Sequence, residues 1–339
     1  MSDQLPPLSP AVQMMRLING YQVSQALHVA ATLGIADLLR DGPRSSDALA
    51  DIVGADRDAL YRLLRALAAV DVFHEDTDRV FSLTELGACL RSDAPQPVGP
   101  WAAFTGRPYY WQVWSHLLYS VRTGKYAFPY VHGVSNWEYR AGHPDESTIF
   151  DAAMTAITRG VTEVVVAAYD FSPFVRIVDV GGGQGLLLGS VLAANAHLRG
   201  VLFDQPHVVS QADEPLREMG VRERCEITGG DFFGSVPAGD LHMLKSVLHD
   251  WNDEQALAIL RSCRAAVTPG GRVLVLERII GAPNIAPAEK FGDLNMLVAA
   301  GRREGSHEEF VELFAAAGYA LKRALPTGTQ LHLIEGTCI

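Results

Sequence analysis

Val178-Asp179-Val180-Gly181-Gly182-Gly183-Gln184-Gly185 decides the fold: an apolar strand runs into four glycines in five positions, then into the apolar stretch Leu186-Leu187-Leu188. Glycine accepts the left-handed backbone of a tight turn and lets a ligand approach the main chain, and a following helix aims free N–H groups at it. The turn therefore predicts a small-molecule site. It does not say which molecule, since dinucleotides, phosphates and nucleosides all use glycine-rich turns after a first strand.

Downstream, apolar strands alternate with helical stretches, the pattern of a parallel sheet covered on both faces. The strands are expected at Val175 to Val180, Val201 to Asp204, Glu226 to Gly229, Leu241 to Ser246 and Arg272 to Arg278. Two more, Tyr319 to Leu325 and Gln330 to Glu335, leave only Pro326-Thr327-Gly328-Thr329 between them, too little for a crossover helix, so they must pair antiparallel. The fold class is α/β, a Rossmann-like sheet of seven strands, five parallel plus a carboxy-terminal antiparallel hairpin.

In such sheets ligands bind outside the carboxyl ends of the strands. Asp204 ends the second strand, where a carboxylate suits the two hydroxyls of a ribose. Asp231, in Gly229-Gly230-Asp231-Phe232-Phe233, ends the third, where an acid beside a ring suits the amine and face of adenine. The fourth strand leads into Lys245-Ser246-Val247-Leu248-His249-Asp250-Trp251, which sets His249 at the start of a helix facing the same crevice. An imidazole near pH 7 is a natural general base for a hydroxyl. Lys245 reads either as an ion-pair partner or as a ligand contact.

Upstream of the turn, Ala11 to Leu39 reads as one helical run with a broad apolar face, wider than one neighbour covers, so burial against a second subunit is expected. Ser45-Ser46-Asp47 starts a further helix, Gly54 breaks it, and Asp56 to Val70 forms another. Val72-Phe73-His74 and Arg79 to Leu83 then form a hairpin, completing a mostly helical winged helix. DNA binding would follow from that shape, but acids crowd the helix and wing that would meet phosphate. A dimerisation role fits better. Residues 93–142 are irregular and rich in aromatics, and a helix is expected from Phe150 to Tyr169. The domains are read as 1–95, a connector 96–170 lining the substrate pocket, and 171–339.

The 339 residues are 48% hydrophobic and 20% charged, an ordinary globular balance. A formal net charge of −11 opposes non-specific nucleic-acid or anionic-membrane binding. The four cysteines show no paired spacing, so no disulfide or metal cluster is expected. Met1 to Pro7 lacks a basic region followed by an apolar run, and no stretch reaches membrane-spanning length, so a cytoplasmic protein is expected.

Asp179 to Gly185, Phe203-Asp204-Gln205-Pro206-His207-Val208, Gly230 to Phe233, and Leu244-Lys245 through His249-Asp250-Trp251 occur in order. Together they resemble the class I S-adenosylmethionine-dependent O-methyltransferases of the caffeate and bacterial antibiotic-tailoring type, over nearly the whole chain. The resemblance implies an amino-terminal winged-helix dimerisation domain, a homodimer, no metal, and S-adenosylhomocysteine as the spent cofactor. It implies that Gly181 with its neighbours Asp179 and Gly183 holds the methionine part, Asp204 the ribose, and Asp231 with Phe232 the adenine, while Lys245 closes over the cofactor. His249 matches the catalytic base, flanked by Glu277 and Glu304. Gln205 stands where leucine is common, and Arg303-Glu304-Gly305-Ser306 is a looser ending than usual.

Acceptor-side candidates are Trp111, Phe150, Met154, Asn295 and Met296, which suit a flat hydroxylated aromatic. A nicotinamide dehydrogenase shares the glycine turn, but the spacing Gly181-x-Gly183-x-Gly185 is not GxGxxG. A winged-helix ligand sensor is the non-enzyme alternative, and a relative acting on a non-phenolic acceptor is a further one.

Overall fold

The computed structural model describes residues 9–339; the leader Met1 to Pro7, where no signal peptide is expected, lies outside the described residues. The chain forms two compact units, one reaching to Trp111 and including His143–Ile157, the other comprising Gln112–Gly142 and Thr158–Ile339. The expected connector 96–170 is thus shared between them, because the long helix Pro144–Ala168 belongs by its first part to one unit and by its remainder to the other.

In the first unit the expected single run over 11–39 is three helices, Pro10–Ile18, Gly20–Thr32 and Ile35–Leu38. Gly34 takes φ +64, a backbone a continuing helix forbids, and so turns the chain. Apolar periodicity continues across such breaks, which is why it hides them. Ser45 and Asp56 cap the next two helices, Ser46–Val53 and Arg57–Ala68, by accepting from the N–H of Ala48 and Ala59. Strands β1 (Arg44–Ser45), β2 (Phe73–Glu75) and β3 (Val80–Leu83) form a small sheet in the order β1-β3-β2, as a winged helix requires. Ile35, Leu49, Leu64, Leu67, Phe73 and Phe81 fill its core. Helix Pro10–Ile18 contributes no buried residue, and Leu17 is 76% exposed.

The second unit holds seven strands: β4 (Arg176–Val180), β5 (Arg199–Asp204), β6 (Cys225–Gly229), β7 (Gly239–Lys245), β8 (Val267–Glu277), β9 (Tyr319–Pro326) and β10 (His332–Cys338). Their order is β6-β5-β4-β7-β8-β10-β9, with parallel pairing from β6 to β8 and antiparallel pairing of β10 with both neighbours. The reversal of order at β4 puts the switch point between β4 and β7.

Successive strand residues face opposite ways. Ile177, Leu202, Met243, Leu274 and Leu276 pack into one layer, and Val178, Val201, Leu244, Val273 and Val275 into the other. Both faces are apolar because helices cover both. The stretch 93–142, read as irregular, is instead largely short helices, among them Leu117–Thr123, Ala127–His132 and Asn136–Ala141. At six or seven residues each, they are too short to set up a periodic signal. Among the described residues no helix is long and apolar enough to cross a membrane.

Candidate active site

The site begins where β4 ends. Gly181 and Gly182 donate to the carbonyl of Phe203 at 2.8 and 3.4 Å, bending the chain against β5. Gly181 has φ +72, and a methyl group there would lie 2.7 Å from Val247 Cγ2. A methyl at Gly182 would lie 2.6 Å from Asp179 Oδ2, so Asp179 sits directly beneath the turn. That oxygen is buried with no hydrogen-bond partner in the structure. Burial, with Asp204 adding to it and Lys245 opposing it, pushes the Asp179 carboxyl up to about 7.

Asp204 closes β5 and is pre-set by the main chain: Oδ2 accepts from Gly183 N at 2.8 Å and Oδ1 from Gln205 N at 2.7 Å. Asp231, beyond β6, is exposed and accepts from Phe233 N at 2.9 Å. Phe232 beside it meets Trp251 edge-on, with ring centroids 5.7 Å apart. Lys245 ends β7, and burial lowers its proton affinity against the pull of Glu277 and Asp179. A cradle that a Cβ would fill, an unpartnered buried carboxyl oxygen beneath it and acids at two further strand ends fit a nucleoside with a cationic amino-acid tail.

After β7, Ser246 takes φ +54 and the chain enters a single 3-10 turn, Leu248–Asp250. His249 therefore lies in that turn and not at the start of the helix Asp253–Ala266, as the sequence reading has it. The tight turn follows because fully buried Glu277, the last residue of β8, accepts through Oε1 from the N–H groups of Val247 and Leu248, both at 3.0 Å. Its Oε2 lies 3.3 Å from His249 Nδ1. Glu304, also buried, places both carboxylate oxygens 3.2 Å from the same nitrogen. Asp250 stands 3.8 Å from Nε2 on the other edge of the ring.

Burial alone would drive the His249 proton off, but Glu277, Asp250 and Glu304 outweigh it and push the imidazole up to about 10. The Glu277 carboxyl is raised to about 7 by burial, with Glu304 and Asp250 adding to it against His249. Glu304 is lowered despite burial, because His249 and Arg278 surround it with positive charge. A cleft of about 350 Å³ opens beside His249, with Trp251, Leu257, Phe310, Leu313 and Arg303 among its lining.

Of the acceptor-side candidates, Asn295 and Met296 lie where the helix Pro287–Asn295 passes into a π-turn, Met296–Ala300. Asn295 Oδ1 accepts from Trp114 Nε1 at 3.2 Å, and Met296 is buried. Trp111, Phe150 and Met154 belong to the other compact unit, where Phe150 packs edge-on against Phe104 at 5.3 Å. Arg278, Asp250 and Trp114 stand at the site without a motif of their own in the sequence. The sequence marks the first two by adjacency alone, Arg278 to Glu277 and Asp250 to His249.

A family model of an O-methyltransferase domain matches residues 114–320, and one of an O-methyltransferase dimerisation domain matches residues 15–93. The chain is 43% identical over 323 residues to the phenazine O-methyltransferase PhzM of Lysobacter antibioticus, covering 95% of this chain and 94% of that protein. Among solved structures, LaPhzM superposes with a TM-score of 0.93 at 41% identity, covering 98% of this chain and all of that one. CalO1, a methyltransferase in calicheamicin biosynthesis in its S-adenosylhomocysteine-bound form, gives 0.86 at 34% identity, covering 99% and 100%. Relatives named as N-methyltransferases also match.

Proposed function

The chain belongs to the S-adenosylmethionine-dependent O-methyltransferases with an amino-terminal dimerisation domain, and from that premise we propose that it methylates a hydroxyl of a small aromatic secondary metabolite, with His249 as general base. The observation that carries this reading is the engagement of His249 Nδ1 by Glu277 and Glu304, which leaves Nε2 as the ring atom able to take a proton.

When bound, S-adenosylmethionine supplies a methyl group on a sulfonium, ready for in-line displacement. In this reading the glycine turn and Asp179 hold the methionine part, Asp204 receives the ribose hydroxyls, and Asp231 with Phe232 takes the adenine. Lys245 closes over the cofactor. Asn295 and Met296 are the acceptor-side residues of the unit that carries His249.

The rest of the work is positioning and proton removal. The acids around His249 raise its proton affinity well above that of a free imidazole, toward the range of a phenol. Only the neutral fraction of the ring can take the proton from the hydroxyl at Nε2, a fraction that grows with pH, and the resulting imidazolium is stabilised by Glu277 and Glu304. A second reading, an aromatic amine acceptor, is favoured by the same proton affinity. His249 rests protonated near pH 7, which suits an acceptor that already carries a lone pair.

An aromatic acceptor is supported by the names of relatives, phenazine and naphthoate among them. The working form in this reading is a homodimer joined through the amino-terminal domain. All four cysteines are free, which suits a reducing cytoplasm. The test is mass spectrometry of phenols and aromatic amines incubated with methyl-labelled cofactor. Label appearing on phenolic oxygen supports the reading, and label on nitrogen alone replaces it with the second.

A further inference from the structure

We propose that Arg278 is a positioning residue for this reaction: its guanidinium fixes the Glu304 carboxylate against the His249 ring, and Gln330 in the β9–β10 turn fixes the guanidinium in turn. The inference rests on the reading of His249 as the base.

Arg278 follows Glu277 at the end of β8. Its Nη1 donates to Glu304 Oε1 at 2.9 Å, the same oxygen that lies 3.2 Å from His249 Nδ1. Its Nε donates to Gln330 Oε1 at 3.1 Å. Gly292 on the helix Pro287–Asn295 lies beside the guanidinium, where an added methyl group would come to 3.4–3.6 Å from Nε, Cδ and Cζ of Arg278, ordinary contact distance. The guanidinium thus lies along a helix surface that has no side chain at that point. Its planar fork presents two donors in different directions, which a lysine ammonium reproduces only in part.

Glu304 is held by its main chain as well. Its N–H donates to Asp293 Oδ1 at 2.8 Å, and Ile280 N donates to Gly305 O at 2.9 Å. Backbone restraint alone leaves a glutamate side chain its rotamers. A cation on one side and the ring on the other select one of them.

Arg278 also sets the charge around the ring. The acids facing the cluster are Glu277 from β8, Asp250 from the 3-10 turn, Glu304 itself and Asp293 from the helix Pro287–Asn295. The cations are Lys245 at the end of β7, Arg302 on the Asp250 carbonyl, Arg140 acting on Asp250, and Arg278. Taking away the Arg278 charge leaves Glu304 less neutralised, so the imidazolium is held more tightly and the base form becomes scarcer near pH 7.

The test needs no identified acceptor. The full-length protein carrying ¹⁵N-labelled histidine is titrated by NMR with S-adenosylhomocysteine bound, His249 being assigned from the spectrum of His249→Ala. In Arg278→Met the His249 midpoint is expected to rise by roughly one pH unit, a tenfold loss of the neutral ring at fixed pH. Arg278→Lys is expected to recover most of that shift. In a Glu304→Gln background Arg278→Met is expected to add almost nothing, because the two act as one unit.

An unchanged His249 midpoint in Arg278→Met with normal S-adenosylhomocysteine affinity overturns the proposal, and so does an equal shift in the Glu304→Gln background. Should Arg278→Met fail to bind S-adenosylhomocysteine, Gln330→Ala decides: it releases the guanidinium without removing its charge. Read above the His249 midpoint, where the ring is neutral, tautomer signals that stay as in the wild type in that variant overturn the proposal, and a redistributed pair of signals supports it. Full turnover in His249→Ala would overturn the base reading; a ring insensitive to Arg278 in an enzyme that needs His249 overturns this inference alone.

Discussion

Glu277 holds His249 twice. Its Oε1 accepts from the His249 main-chain N–H at 3.4 Å, alongside the N–H groups of Val247 and Leu248, while its Oε2 lies 3.3 Å from Nδ1 of the same residue. One carboxylate therefore shapes the turn and sets negative charge beside the ring, whose Nδ1 is hydrogen-bonded by Glu304. If His249 is the base, loss of the Glu277 side chain is expected to affect folding and proton transfer together, so the two are separated by a substitution that spares the first.

Glu277→Gln keeps an oxygen able to accept from the main chain but removes the charge. It is expected to fold and to bind cofactor while losing turnover, though less than His249→Ala, for which a drop of roughly 10²–10⁴-fold is expected. Thermal shift with S-adenosylhomocysteine and labelled-methyl turnover separate the two effects. Full turnover in His249→Ala with cofactor bound would falsify the base assignment.

The pH dependence follows from the sign of the His249 shift. A base must shed its proton, and its proton affinity is raised from 6.5 to about 10. Turnover of a phenolic acceptor at saturating cofactor should therefore climb with pH along a limb whose midpoint lies above 6.5. The same shift gives stability that is fully present below the unfolded value and is lost as pH rises through the folded one. A rate profile already flat above pH 6 would count against the assignment.

Gly181→Ala combines a left-handed φ of +72 with a contact of 2.7 Å to Val247 Cγ2. The backbone term costs about 1–2 kcal/mol, and the shift of Val247 adds to it. Calorimetry is expected to show S-adenosylhomocysteine binding weakened by roughly tenfold or more, about 1.4 kcal/mol. Gly183→Ala, at φ +61 with no heavy atom within 4 Å, carries the backbone penalty alone and should be the milder variant.

Asp179 tests the cost of a buried acid. Its carboxyl is raised from 3.8 to about 7, so ionising it in the folded state works against stability as pH climbs through that interval. Asp179→Asn should gain stability relative to wild type between those values and hold the gain above them. The gain is expected on the order of 1–2 kcal/mol, reduced because Lys245 loses a counter-charge. Cofactor affinity should fall at the same time. Denaturation at pH 5 and pH 8 checks the first part, and an equal difference at both would sink it.

Leu17 is 76% exposed on a helix that buries none of its residues, and it lies within the stretch matched as a dimerisation domain. Apolar surface of this kind is stabilised by a covering partner. Leu17→Glu is expected to shift the protein from dimer toward monomer in size-exclusion chromatography with light scattering. An unchanged dimer would move the interface elsewhere.

Much of this protein was determined by its sequence alone. The glycine turn, the alternation of strands and helices, the short gap before the last strand, and the acids at strand ends are local signals, and local conformational preference is enough to read them. Asp204, Asp231 and His249 could be placed at strand ends because the chain order of a parallel sheet dictates where those ends lie. The breaks at Asn19 and Gly34 and the short helices between residues 93 and 142 were hidden, since apolar spacing persists through the former and the latter are too brief to show a period. Only the tertiary structure decided what His249 experiences. Glu277 and Glu304 reach its Nδ1 from sequence distances of 28 and 55 residues, Arg278 joins them from beside Glu277, and Gln330 from one further segment. Coulomb energy and desolvation depend on separations of a few ångströms in space. The identity of a residue names the chemistry available to it, and the fold sets its proton affinity.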